Sequence, residues 1–114
     1  DIIRKDILLM ALNIKRIREL CSSGMIKWSR HALKRMRERK ISTDDFSNCI
    51  STGEIIEQYP DSHYHPSCLI LGVSINGKYL HVVIGCDNEC VYAVTAYYPD
   101  PSEWELDMKT RKEH

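Results

Sequence analysis

This chain lacks the long apolar run of a membrane span. No stretch approaches the roughly 18 consecutive apolar residues that crossing a bilayer requires. The apolar positions near the start are broken by Arg4, Lys5, Asp6, Lys15, Arg16 and Arg18, which also fits no secretion signal. A cytoplasmic protein with no membrane partner is therefore expected. Paired cysteines are lacking too: Cys21, Cys49, Cys68, Cys86 and Cys90 are odd in number and include no CxxC, which argues against a disulfide scaffold and a zinc ribbon. Reduced, buried thiols are expected, although Cys86 and Cys90 flank a turn at Asp87, Asn88 and Glu89 and could face each other across a hairpin. Phosphate-binding loop, dinucleotide fingerprint, nucleophile elbow and HExxH are all absent, which removes the enzyme classes that depend on them. Repeats and low-complexity segments are missing as well.

Net charge is also lacking, with 16 Lys and Arg against 16 Asp and Glu, but the balance hides a division. Residues 1–40 hold 12 Lys and Arg against 4 Asp and Glu, a surplus of eight positive charges, and residues 41–114 hold the reverse surplus. Such asymmetry points either to a polyanion-binding surface or to solvated basic helix faces on an acidic remainder. At 114 residues and 43% hydrophobic content the chain suits one compact domain, 1–114. Residues 1–24 form an additional N-terminal helix in this reading.

Apolar residues at Ile3, Ile7, Leu8, Met10, Ala11, Ile14 and Ile17 follow the helical period and predict a helix over Ile2 to Leu20, closed by Cys21 to Gly24. Ser29 is the expected N-cap of a second helix to about Arg39, and Ser42, Thr43, Asp44 and Asp45 open a third, stopped by Gly53. From Glu54 onward the period becomes that of strands: Glu54 to Tyr59, Cys68 to Ile75, Lys78 to Gly85 and Val91 to Tyr98. Asn76-Gly77 suits a type I′ hairpin turn. Strict alternation places Ala93, Thr95 and Tyr97 on one face of the last strand and Val94, Ala96 and Tyr98 on the other. The polar tail from Ser102 to His114 has room for a short helix. Helices first and antiparallel strands after predict an α+β domain with the helices on one face of a sheet of about four strands.

Trp28 to Ser42, WSRHALKRMRERKIS, carries the candidate chemistry. On a helix His31, Arg35 and Arg39 drift along one side, beside the apolar seam of Trp28, Ala32 and Met36, while Arg30, Lys34 and Arg37 point to solvent. An arginine at a core edge needs an acid or an anionic ligand, so Arg35 and Arg39 either pair with Glu54 or Glu57 or keep their forked donors for a phosphate. His31 and His81 both also fit packed polar positions. His63, His65 and Cys68 form an HxHxxC cluster, which lacks the fourth ligand and second pair of a zinc site. No metal or cofactor is expected.

The segments Ser29 to Ser42, Ser51 to Tyr59 (STGEIIEQY), Gly77 to Val83 (GKYLHVV) and Val94 to Pro99 (VTAYYP) resemble, in that order, the domain-of-unknown-function 4258 family. That family shares an H-A-x-x-R-M-x-x-R helix, a G-x-I-I-E-x-Y strand, an L-H-V-V strand and a final V-x-x-x-Y-x-P, and the resemblance covers residues 26–104. The family is placed near toxins of the RelE, ParE and MqsR type. The resemblance implies a RelE-like fold with a curved antiparallel sheet, RNA as substrate and an antitoxin protein as partner. Its site positions fall here on His31, Arg35, Arg39, Glu57, Tyr59, His81 and Tyr97 or Tyr98. A metal-independent endoribonuclease of this kind needs a base for the 2′-hydroxyl, cations for the phosphate and an acid for the leaving oxygen. His31 or His81, Arg35 with Arg39, Glu57, and Tyr97 or Tyr98 supply them. The alternatives are a noncatalytic module that binds nucleic acid or protein through the basic helix, and a toxin acting on a protein target such as a topoisomerase.

Overall fold

The computed structural model describes residues 11–113; residues 2–10 of the helix expected over Ile2 to Leu20 lie outside them, and residues 11–13, expected within it, are not helical. Its described part is α1, Ile14–Ser22, which starts where the Asn13 side chain accepts the backbone N–H of Lys15. A short strand the periodicity did not reveal follows, β1, Ile26–Trp28. Ser29 caps α2, Arg30–Glu38, through the N–H of Ala32, and Ser42 with Asp45 forms a reciprocal capping box on α3, Thr43–Thr52. Arg18 closes the other end of α3, donating to the carbonyls of Ile50 at 3.0 Å and Gly53 at 2.5 Å. One charge of the basic half is thus structural.

The strands β2, Glu54–Tyr59, β3, Ser67–Val73, β4, Tyr79–Cys86, and β5, Val91–Tyr97, complete a sheet ordered β1-β5-β4-β3-β2. It has five strands and is mixed, because β1 runs parallel to β5 while the other pairings are antiparallel. The three helices cover one face: Ile17 and Leu20, Ala32 and Met36, and Phe46, Cys49 and Ile50 meet Cys68, Ile70, Leu80, Val82, Ile84, Val91, Ala93 and Ala96 in one core. All five cysteines are thiols, and burial pushes those of Cys49 and Cys68 up to about 12, so neither is a ready nucleophile.

Three local expectations are corrected. Gly77 has a positive φ of 81° but Asn76 does not, so the β3–β4 loop is not a type I′ turn. Gly77 N–H bonds the Ser74 carbonyl and Ser74 N–H the Lys78 carbonyl, giving a turn across Ile75 and Asn76 closed by a left-handed glycine. In β5 the register slips beside Val83 and Ile84, so Val94 bulges out and both Ala93 and Ala96 face the core while Thr95 and Tyr97 face away. Strict alternation fails there for that reason. The tail holds no helix over Ser102 to Glu113; turns and a Trp104–Arg111 bridge fold it back as a strap.

Candidate functional site

Two bulges turn reactive side chains toward the sheet face that no helix of the described residues covers. In β2 the slip between Ile55 and Glu57 leaves Ile55 packed on the core and sets Glu57 opposite Leu69, with Tyr59 opposite Ser67. The β5 bulge sets Tyr97 opposite His81. Without the two slips Glu57 and Tyr97 would both lie on the helix side.

His81 is completely buried. Its Nε2 lies 2.6 Å from the Met108 carbonyl, which can only accept, so Nε2 carries the proton and Nδ1 accepts from the Tyr97 hydroxyl at 3.3 Å. The edges of Trp104 and Tyr97 enclose the ring at 4.5 and 5.3 Å. Burial lowers the imidazole pKa, opposed by the Met108 carbonyl and the Glu57 charge, so the ring is held neutral. Below the ordinary value of 6.5 the unfolded chain takes up a proton that the folded chain refuses. Stability therefore falls as pH drops through 6.5 toward the folded pKa, by at most about 1.4 kcal/mol per pH unit, and is level above. Thermal unfolding of wild type and His81→Gln between pH 5 and 8 checks this; equal slopes in the two proteins would refute it.

Glu57 accepts a fork from Arg111, Nε at 2.7 Å and Nη2 at 3.0 Å, and a hydrogen bond from the Tyr59 hydroxyl. The Arg111 bonds hold its carboxyl below the ordinary range, so it is ionised. Burial, with the Glu57 bond next, pushes Tyr59 up to about 12. Tyr97 is half-buried, and burial raises its pKa; Arg111, Glu57 and Arg39 all lie within electrostatic reach of it. The contacts of the Tyr97 side chain are with His81.

Arg39 caps the C-terminus of α2 and crosses to the edge of β5, where Nη1 donates to the Ala96 carbonyl at 2.8 Å and the Thr95 hydroxyl at 3.2 Å. Nε and Nη2 bond no described residue. The acid pairing expected for Arg35 or Arg39 is corrected: Glu57 pairs with Arg111 and Glu54 with Lys109, both from the strap, while Arg35 reaches Glu38 at 3.7 Å in the open. No hydrogen bond, ion pair or ring contact joins His31 or Arg35 to Glu57, Tyr59, His81 or Tyr97 among the described residues. Both are exposed on α2, whose Ala32 and Met36 face the core. Tyr98 points the other way, with Lys78 over its ring at 5.7 Å.

The sequence profile of the family described as "Domain of unknown function (DUF4258)" matches residues 28–98. The chain belongs to that family. No match is found among the curated proteins or among the solved structures. The DUF4258 match ends at Tyr98, so Trp104, the Met108 carbonyl and Arg111 reach the site from outside it. Sequence reasoning missed these three. The available signal was Trp104 itself, a large apolar ring in a polar tail that has to be covered by something. Among the described residues no helix is long and apolar enough to cross a membrane, and no group of three or more His, Cys, Asp or Glu could hold a metal ion. Cys68 faces the core, away from His63 and His65.

Together the side chains offer an ionised carboxylate, a tyrosine kept protonated, a neutral imidazole behind it and two guanidiniums. That set can move protons around a bound phosphate and stabilise added negative charge there.

Proposed function

We propose that this DUF4258 protein is a toxin-like, metal-independent endoribonuclease of RelE-like fold, restrained by an antitoxin protein. The observation that carries this reading is that one sheet face holds Glu57 forked by Arg111 and Tyr97 bonded to His81, with Arg39 anchored beside them at Thr95 and Ala96. Glu57 takes the proton of a ribose 2′-hydroxyl. O2′ bonds to phosphorus, the P–O5′ bond breaks, and Tyr97 turns its one phenolic proton from His81 Nδ1 to O5′, leaving a 2′,3′-cyclic phosphate. The unbonded donors of Arg39, with Arg111, stabilise the charge that gathers on the phosphate. His81 is buried and so acts as a positioning residue, orienting Tyr97 through Nδ1. His31 and Arg35 belong to the basic surface that draws RNA in.

The test is incubation of the purified protein with total RNA in EDTA. Tyr97→Phe and Glu57→Gln should each slow cleavage about 100-fold, the low end of what a positioned acid or base supplies. Arg35→Ala should weaken only the salt-sensitive encounter. Intact RNA with wild type overturns the proposal. Salt-sensitive RNA retention without cleavage would favour the second reading, a noncatalytic module whose exposed basic α2 docks nucleic acid or an acidic protein, including the case of a toxin with a protein target.

A further inference from the structure

The HxHxxC motif found no role as a metal site, yet its two histidines line a separate cleft on the same sheet face. His63 meets Tyr64 edge-on at 4.6 Å, and His65 lies parallel on Tyr92, 4.2 Å away with 4° between the planes. Both pairs border a cleft of about 340 Å³ floored by Gly85. Tyr64 is 85% exposed and the bulged Val94 44%. No described residue hydrogen-bonds a ring nitrogen of His63 or His65, so the cleft offers flat apolar faces and unsatisfied polar edges together. Lys27 holds its ammonium 5.9 Å from the Tyr92 ring centre. The nearby Asp87 carboxylate is already committed to the Tyr92 hydroxyl at 2.7 Å and to the N–H groups of Glu89 and Cys90.

From these features we infer that the cleft is a nucleobase-binding subsite for single-stranded RNA, which rests on the ribonuclease reading above. An unpaired base has what the cleft lacks: a planar ring for the aromatic faces, an edge with donors and acceptors for the imidazoles, and a flanking phosphate for Lys27. The volume sits at the small end of the roughly 300–1,000 Å³ typical of small-ligand sites, suited to one base. Position supports the assignment. Tyr59, Ser67, Gly85, Tyr92 and Lys27 form one row across the sheet, and Leu71, His81 and Tyr97 another. Gly85 and His81 are four residues apart on β4, a rise of about 13 Å. A short oligonucleotide along β4 and β5 spans the two, with a phosphate at Tyr97 and Arg39 and a base in the cleft. No residue of the strap lines the cleft.

The test separates binding from cleavage by using a fluorescein-labelled 2′-O-methyl hexanucleotide, which has no 2′-hydroxyl to attack. In anisotropy titrations Tyr64→Ser, an exposed position, and Gly85→Val, which fills the floor, should each weaken binding about tenfold. Thermal unfolding confirms that both variants fold. In parallel, adenosine and uridine 5′-monophosphate should shift the imidazole resonances of His63 and His65, and ribose 5-phosphate should not. Binding that is unchanged in both variants, or equal shifts with ribose 5-phosphate, overturns the subsite while leaving the nuclease reading intact. Base-dependent binding without RNA cleavage sustains the subsite and sinks the nuclease reading. A cleft that takes tryptophan-containing peptides and no nucleotide overturns it in favour of a protein partner.

Discussion

Replacing Trp104 with alanine is expected to lower stability by about 3–5 kcal/mol, the cost of removing a large buried ring. Leu69 and Leu71 are buried on the sheet face that no helix of the described residues covers, and Trp104 closes on the imidazole between the strap and β4. Trp104 is itself only 4% exposed, with the Arg111 guanidinium stacked over it at 4.6 Å. The strap's ion pairs cannot supply that energy. The Arg111 side chain is 58% exposed, and surface pairs contribute about 0–1 kcal/mol, so Arg111→Ala should cost under about 1 kcal/mol. Urea unfolding compares the two, and equal losses would mean that the strap is held by charge rather than by the ring. A second readout follows from the burial of His81. Opening its cover should raise the imidazole pKa toward 6.5 in Trp104→Ala, seen by titrating the ring resonances.

Gly72→Ala is expected to cost more than the roughly 1–3 kcal/mol of ordinary overpacking. A Cβ at Gly72 would run into the backbone of Cys49, the carbonyl oxygen first, and one at Gly53 would lie 2.5 Å from the carbonyl oxygens of Cys49 and Leu71. The two glycines let α3 press directly against β3. Backbone cannot rotate aside as a side chain can, so relief requires lifting α3 off the sheet and loosening Phe46, Cys49 and Ile50 together. Chemical denaturation measures the loss, and a cost below about 1 kcal/mol would show that the helix shifts freely.

The α+β class, the caps at Ser29 and Ser42 and the course of β2 were legible because each rests on local chemistry: hydroxyl acceptors, acidic first turns and a change of period. The three residues of β1 were too few to establish a period. The bulges at Ile55–Glu57 and Val94 depend on pairing with the neighbouring strand, which no alternation count contains. They decide which face Glu57 and Tyr97 take. Glu57, His81 and Tyr97 lie on one sheet face, Arg39 is held beside them at Thr95 and Ala96, and His31 and Arg35 stay exposed on the helix. The strap was illegible for a different reason: its contacts with Glu54, Glu57 and His81 are all long-range.

The parallel pairing of β1 ends at Trp28 opposite Ala93, so the remainder of β5 is the outermost strand of its side of the sheet. An uncovered strand edge invites the edge of a second molecule, the first step of strand-to-strand aggregation. Arg39 occupies the Ala96 carbonyl there and sets a cation beside it. A second strand pairing at that carbonyl would first have to displace the Arg39 guanidinium, so one helix-capping side chain also shields part of an open sheet edge.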